Sequence, residues 1–364
     1  MRILLLGAGH IGQTIARLLH ESGDYAVTVA DRSEAALQHV VPLGIATRVV
    51  DIESPHGLAD ALASTDILIN ALPYYLAITV ARAAHAARCS YFDLTEDVAA
   101  TRAIKQLANG ATTAFMPQCG LAPGFIGIVA HHLALQFEEI QDVKMRVGAL
   151  PAFPTNSLKY NLTWSVDGLI NEYCHPCDAI RDGQRIELLP LEGLEYFSLD
   201  GVEYEAFNTS GGLGTLCETL EGRVRTLDYK SVRYPGHCAL MKILLEELQL
   251  KSDQAGLKEI LRRAIPTTMQ DVVLVFVTVS GHRNGELVQE VFARKVFADR
   301  SGDRRTSAIQ ITTAAGICAA VDLFREKRLP QRGFLRQEQI SLPDFLANRF
   351  GKAYQQFRHI ESIS

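Results

Sequence analysis

The stretch MRILLLGAGHIGQTIARLLHESGDYAVTVAD, residues 1–31, decides the fold. Residues 2–6 are short and almost wholly apolar, like a strand buried on both faces of a parallel sheet. They run straight into Gly7-Ala8-Gly9-His10-Ile11-Gly12, after which Ile11, Ile15, Leu18 and Leu19 recur at helical spacing. Residues 25–30 form a second apolar strand, closed by Asp31 and followed by Arg32. In a dinucleotide turn Gly7 allows the tight bend, Gly9 lets backbone approach a pyrophosphate, and Gly12 lets the helix pack on the strand. The helix start, at His10 and Ile11, offers free N–H groups and the positive end of a dipole to phosphate. Glycines alone are a weak signal; strand, glycines, helix, second strand and terminal acid in one unit are a specific one. Asp31 predicts NAD over NADP, because a carboxylate that takes ribose hydroxyls repels a 2′-phosphate. Arg32 pulls the other way, since it can pair with that phosphate.

The same rhythm continues outward. Ser33 is placed to cap a helix to about residue 41, and residues 46–50 read as a third strand ending at Asp51. Pro55 opens a helix, and residues 66–70 make a fourth strand that runs into Asn70-Ala71-Leu72-Pro73. An alanine-rich helix over 74–87, a strand over 91–94, a helix to residue 108 and a strand over 113–117 complete the series. Alternating strands and helices with short loops predict a Rossmann-type, doubly wound parallel sheet over residues 1–125. Ligands of such sheets sit beyond the carboxyl ends of the strands. That singles out residues 7–12, Asp31, Asp51, Asn70 to Pro73, Asp93 and the loop Pro117-Gln-Cys-Gly-Leu-Ala-Pro-Gly124 with Gly120.

The character changes near residue 136. Strands are expected over 143–150, 187–189, 224–229, 272–280 and 287–297, with a hairpin turn at Asn284-Gly285. Residues 126–305 are therefore read as an α+β substrate domain with a largely antiparallel sheet. A long Ala- and Ile-rich helix over 307–329 opens a third segment, 306–364, expected to return to the nucleotide domain and end in a polar tail. Sheet edges rich in apolar residues predict at least a homodimer built through 126–305.

Composition bounds the partners. The chain has 364 residues, 48% of them hydrophobic, and a formal net charge of −5. That balance gives no electrostatic reason to expect nucleic acid or a membrane surface. The run at residues 3–6 is too short for a signal peptide, and no window is expected to reach the length of a transmembrane helix. Seven scattered cysteines in a dinucleotide-binding chain predict reduced thiols and a cytoplasmic setting. Cys174-His-Pro-Cys177 has no second pair at zinc spacing, so no metal site is expected.

The polar stretches of the second part are Leu158-Lys159-Tyr160-Asn161-Leu-Thr-Trp164-Ser165, Asn208-Thr209-Ser210-Gly211-Gly212 and Arg233-Tyr-Pro-Gly-His237. With GAGHIG and Asp31, NALPYY at Asn70, FDLTED at Phe92, PQCGLAPGF at Pro117 and VGALP at Val147, their order and spacing resemble the saccharopine dehydrogenase superfamily. Within it the likeness is to the bacterial lysine 6-dehydrogenase branch. The resemblance implies NAD-dependent oxidation of an amine-bearing carbon, for L-lysine giving the 6-semialdehyde and its cyclic piperideine carboxylate. An ammonium proton must then leave before hydride does. His237 is the first candidate for that base and Asp93 the second, with Lys159 and Tyr160 as orienting groups. Arg233 or the Ser210-Gly211-Gly212 loop would hold the substrate carboxylate, and Trp164 would line the substrate. The loop at Gly120 and residues 70–73 would wall the nicotinamide. Two rivals are a saccharopine or carboxylated-polyamine dehydrogenase of the same superfamily and a non-catalytic NAD(P) sensor.

Overall fold

In the computed structural model, which describes residues 1–299 and 305–355, Arg2–Leu6 is an inner strand of a seven-stranded parallel sheet. The order across that sheet is Gly333–Phe334, Ala114–Met116, Ser90–Asp93, Ile67–Asn70, Arg2–Leu6, Ala26–Asp31, Ala46–Val49. Ile3, Leu4, Leu5 and Leu6 are all buried, as their unbroken apolar run requires of a strand covered on both faces. The small side chains of Ala77, Ala81 and Ala84 let helix Ala77–Ala86 lie close on Leu4, Leu68, Tyr91 and Phe115. Each fully buried Leu-sized side chain stabilises the core by about 1.5–3 kcal/mol.

This sheet belongs to the first of two compact units, made of Met1–Ile128, Gly214–Leu216 and Thr313–Phe350. Two local expectations change within it. Ser33 does cap a helix, accepting from the Ala36 N–H at 3.2 Å, but the helix covers only Glu34–Leu37. Pro42 then sits in a separate 3₁₀ turn, Val41–Leu43, closed by Gly44 at φ +73°. The seventh strand, Gly333–Phe334, was not expected, because two residues carry no alternation to recognise.

The second unit comprises Val129–Leu213, Cys217–Thr312 and the described residues from Gly351. Its eight-stranded sheet runs Glu195–Leu199, Val202–Asn208, Val224–Arg233, Glu139–Pro151, Asp271–Arg283, Glu286–Phe297, with Cys177–Arg181 joined to Val224–Arg233 and Gln184–Leu188 joined to Cys177–Arg181. All its pairs are antiparallel except Val224–Arg233 with Glu139–Pro151, which is parallel. Asn284 and Gly285 have φ of +53° and +79°, the two positive values that a type I′ hairpin needs. Helices Val166–Cys174, His237–Lys242 and Gln254–Ala264 share one core with Tyr160 and Phe207. Elsewhere the sheet folds over itself: Phe197 stacks on Phe276 at 5.5 Å, and Lys295 Nζ donates to Leu199 O at 3.2 Å.

The long helix is Ala308–Arg325, with residues in both units. Its 18 residues and mean hydropathy of 1.2 do reach the length and apolarity of a membrane span, which corrects the expectation that no window would. However, 83% of it is buried inside the protein. Residues 300–304 and the tail of the expected third segment, 356–364, lie outside the described residues.

Candidate active site

The glycine turn is shaped by close approach. Gly7 takes φ +104°, and a Cβ on it would come within 2.9 Å of Ala71 O. A Cβ on Gly12 would lie 1.9 Å from Gly7 O, so only glycine lets helix His10–Glu21 meet the turn. Above Gly9 nothing lies within 4 Å of a notional Cβ, which leaves that backbone open to a phosphate. Gly9 is the N-cap, with no side-chain cap and no acidic residue in the first turn, so the N–H end beside exposed His10 and half-buried Ile11 remains open to an anion. These residues fit the pyrophosphate of a dinucleotide.

Asp31 ties the second strand to the turn. Its Oδ2 accepts the Ala8 N–H and its Oδ1 the Ser33 N–H, both at 2.8 Å. Each oxygen keeps a further lone pair for a ribose hydroxyl. Arg32 beside it is exposed. Asp51 is exposed too, and its Oδ1 accepts the Glu53 N–H of its own turn at 3.0 Å.

Behind the turn runs a buried polar chain. Asn70 Nδ2 donates to Tyr91 Oη at 3.1 Å, and Tyr91 Oη donates to Asp93 Oδ2 at 2.7 Å. Asp93 Oδ1 accepts the N–H groups of Thr95 at 3.0 Å and Gln118 at 2.8 Å. Burial pushes the Asp93 carboxyl up to about 6, while the bonds from Tyr91, Gln118 and Thr95 pull it back. Ala71 bonds Leu6 O through its N–H at 2.8 Å, Leu72 bonds Asn70 Oδ1 through its own at 3.2 Å, and Pro73 is exposed. Gly120 is buried, and its carbonyl accepts the Phe125 N–H at 3.0 Å.

In the second unit the structure brings together Tyr160, Arg233 and His237, and adds Tyr173. The guanidinium of Arg233 lies 5.1 Å from the Tyr160 ring and 5.8 Å from the Tyr173 ring. Its Nε donates to Tyr173 Oη at 2.9 Å and its Nη1 to Val232 O at 2.8 Å. Arg233 is 3% exposed, yet no carboxylate stands within ion-pair distance of it among the described residues. Among the described residues, the buried amide oxygens Asn161 Oδ1 and Asn171 Oδ1 have no hydrogen-bond partner in this neighbouring segment, while the Tyr160 hydroxyl faces the Thr163 and Trp164 side chains. Unmet polarity therefore lies close to a buried cation that feels the Glu172 charge but has no carboxylate bonded to it.

His237 has different surroundings from those a base needs. Its Nδ1–H donates to Leu158 O at 2.9 Å, which leaves Nε2 to accept from Tyr173 Oη at 3.2 Å. Burial, helped by the Arg233 charge, lowers its pKa to about 3. The imidazole is neutral, with both nitrogens engaged.

The remaining predicted residues are spread out. Lys159 is exposed at φ +49°, and its Nζ donates to Pro235 O at 3.0 Å. Trp164 is half-buried against the helical core. Ser210 gives its N–H to Glu172 O and its hydroxyl to Pro176 O, both at 2.9 Å. Gly211 takes φ +84°, and a Cβ on Gly212 would strike the Tyr229 ring at 2.2 Å. Ser210 and Gly212 are thus committed to packing the loop. Sequence reasoning gave Tyr173 no role; its place on the same helix as buried Asn171 and Glu172 was the available signal.

Two family models match. The saccharopine dehydrogenase NADP binding domain covers residues 3–115, and the saccharopine dehydrogenase C-terminal domain covers residues 120–352. The chain belongs to the saccharopine dehydrogenase family. Among curated relatives, it is 26% identical over 271 residues to saccharopine dehydrogenase [NADP(+), L-glutamate-forming] of Saccharomyces cerevisiae. That match takes in 69% of this chain and 59% of the yeast protein. Mitochondrial alpha-aminoadipic semialdehyde synthase of Bos taurus is 22% identical over 194 residues, covering 50% of this chain and 21% of that protein. Among solved structures, apo saccharopine dehydrogenase (L-Glu forming) from Saccharomyces cerevisiae superposes with a TM-score of 0.78 at 18% identity, covering 94% and 96% of the two chains. The family's two-part plan thus accounts for both the glycine-turn domain and the sheet that carries Arg233.

Proposed function

We propose that this chain is a nicotinamide-dependent dehydrogenase that oxidises the amine-bearing carbon of an amino acid, with L-lysine as the substrate. The observation that carries this reading is Arg233, a buried guanidinium with no acidic partner in ion-pair range. The nearby Glu172 charge acts on the guanidinium without forming an ion pair with it, which leaves Arg233 able to take a substrate carboxylate directly. The bound dinucleotide supplies the hydride acceptor. The protein's own tasks are to hold the carboxylate, orient the amine and accept its ammonium proton. Asp93 moves ahead of His237 as our candidate for the proton acceptor on protonation alone: both are buried and fully hydrogen-bonded, but a carboxyl near 6 exchanges its proton close to neutral pH and a histidine near 3 does not. NAD remains our choice of cofactor on the strength of Asp31, although the matching family model and the yeast relative are both of NADP type. Seven buried, unpaired thiols support a cytoplasmic setting.

A second reading draws on the yeast relative: oxidation of saccharopine, or of a carboxylated polyamine, at a secondary amine. Both substrates present a carboxylate to Arg233, so the amine decides between them. Purified protein incubated with NAD or NADP and with L-lysine, saccharopine or a carboxylated polyamine, followed at the NADH absorbance band, tests the choice. Turnover of L-lysine with an internal imine as product supports the first reading. Turnover of saccharopine alone replaces it with the second, and no turnover with any of them removes both.

A further inference from the structure

A cavity of about 130 Å³ opens beside Tyr173 within the second unit. Its floor is apolar, with Tyr173, Leu191 and Leu245 all buried. Two exposed ionic side chains stand over it, Glu246 and Lys251; neither is in a salt bridge among the described residues, although the Glu246 charge also acts on Lys242. A third, Glu192, is already taken by Lys242 at 2.5 Å. The backbone makes this juxtaposition. Ile243–Glu247 is a π-turn, with the Leu248 N–H reaching Ile243 O at 2.9 Å. Gln249 then takes φ +58°, and the chain doubles back so that the Lys251 N–H bonds Leu245 O at 3.3 Å. Lys251 is thereby set beside Glu246. Wide turns of this kind are rare and concentrate at functional sites.

We propose that this cavity binds a zwitterionic α-amino acid with a neutral aliphatic side chain. The side chain lies on Tyr173, Leu191 and Leu245, the ammonium meets Glu246, and the carboxylate meets Lys251. The volume is small, about 130 Å³. It is too small for a nucleotide, since pockets for larger ligands run to roughly 300–1,000 Å³. The apolar floor disfavours a hydrated ion, and the two opposite charges at the rim match the two ends of an amino-acid head group. The Tyr173 hydroxyl joins Arg233 Nε and His237 Nε2, so a ligand against its ring bears on the bonds that hold Arg233. Occupancy should therefore shift the KM of a carboxylate substrate, a consequence that rests on the function proposed above. The binding itself does not.

Calorimetric titration of the full chain with L-leucine, without cofactor, tests the proposal directly. Saturable binding to one site is expected. Isovalerate and isoamylamine, which each lack one charge, should bind about fivefold more weakly or worse, the scale of one exposed ion pair. Glu246→Lys and Lys251→Glu should each weaken L-leucine by a similar factor, and both sites are exposed enough for the variants to fold. Arg233→Ala should keep saturable L-leucine binding, its affinity moved only by the coupling through Tyr173. Binding lost in Arg233→Ala but kept in both charge variants would assign the amino acid to the Arg233 site and overturn the proposal. No saturable binding at millimolar L-leucine would overturn it as well. Neither result depends on turnover, so failure here is distinct from failure of the dehydrogenase assay.

Discussion

Arg233 is the residue whose chemistry is most constrained. Two aromatic rings, Tyr173 Oη and a backbone carbonyl fix the guanidinium, while Glu172 acts on it only at a distance. Arg233→Ala is expected to raise KM at least tenfold with a smaller change in kcat, if the carboxylate is held equally in ground and transition states. Asp93 and His237 separate in a pH profile. A base must be ionised to accept a proton, so with Asp93 near 6 activity should fall as pH drops below about 6. Asp93→Asn should lower kcat by about a hundredfold and remove that acid limb. His237→Ala should leave the limb in place and act through KM, because the ring only positions Tyr173. An acid limb abolished in His237→Ala would return the base to His237. Asp31→Ser should cut the preference for NAD, read as the ratio of kcat/KM for NAD and NADP. Equal values in the unmodified protein would refute the assignment of Asp31 as the selector.

At the scale of elements, the sheet of the second unit depends on a buried ionic network. Arg146 joins Asp228 at 2.6 Å and also bonds Glu195, while Arg181 reaches Asp228 at 2.9 Å and Lys230 reaches Glu195 at 2.7 Å. Four strands are tied by these five side chains. Burial alone would push the Asp228 carboxyl up, but the Arg146 charge and the bonds from Arg181 and Arg146 outweigh it and hold it below the usual range. A depressed carboxyl stabilises the fold above its unfolded pKa of about 4, and the contribution is lost as pH falls through the folded value. Chemical denaturation should therefore show stability dropping below about pH 4. Asp228→Ala should cost about 1–3 kcal/mol at neutral pH, because buried Arg146 loses one of its two carboxylates and keeps only Glu195. An unfolding midpoint unchanged in that variant would mean that the network contributes nothing.

For the molecule as a whole, the outer strand Glu286–Phe297 leaves a sheet edge with Leu287 62% and Val291 50% exposed. An edge that displays apolar side chains is normally covered. We propose a homodimer that buries it. Light scattering at micromolar concentration should give twice the chain mass of 40.0 kDa, and Val291→Glu should shift the mass toward the monomer. A monomeric mass for the unmodified protein would count against assembly by this strand.

The glycine turn, the parallel sheet and the hairpin at Asn284-Gly285 were legible in the sequence, because each is set by local rules. Positive φ, helix starts and apolar runs depend on neighbours a few residues away. Other features depended on distant partners. Strands Cys177–Arg181, Glu195–Leu199 and Val202–Asn208 were not read from the sequence, although Val202 to Ala206 alternates; Glu195–Leu199 takes its register from Val202–Asn208, and the other two take theirs from Val224–Arg233. His237 and Arg233 were visible as a cluster, but their protonation and partners were not. Those were decided by Tyr173, 60 residues from Arg233 along the chain. A titratable side chain takes its chemistry from the dielectric and the dipoles around it. For this protein only the tertiary structure brings those together.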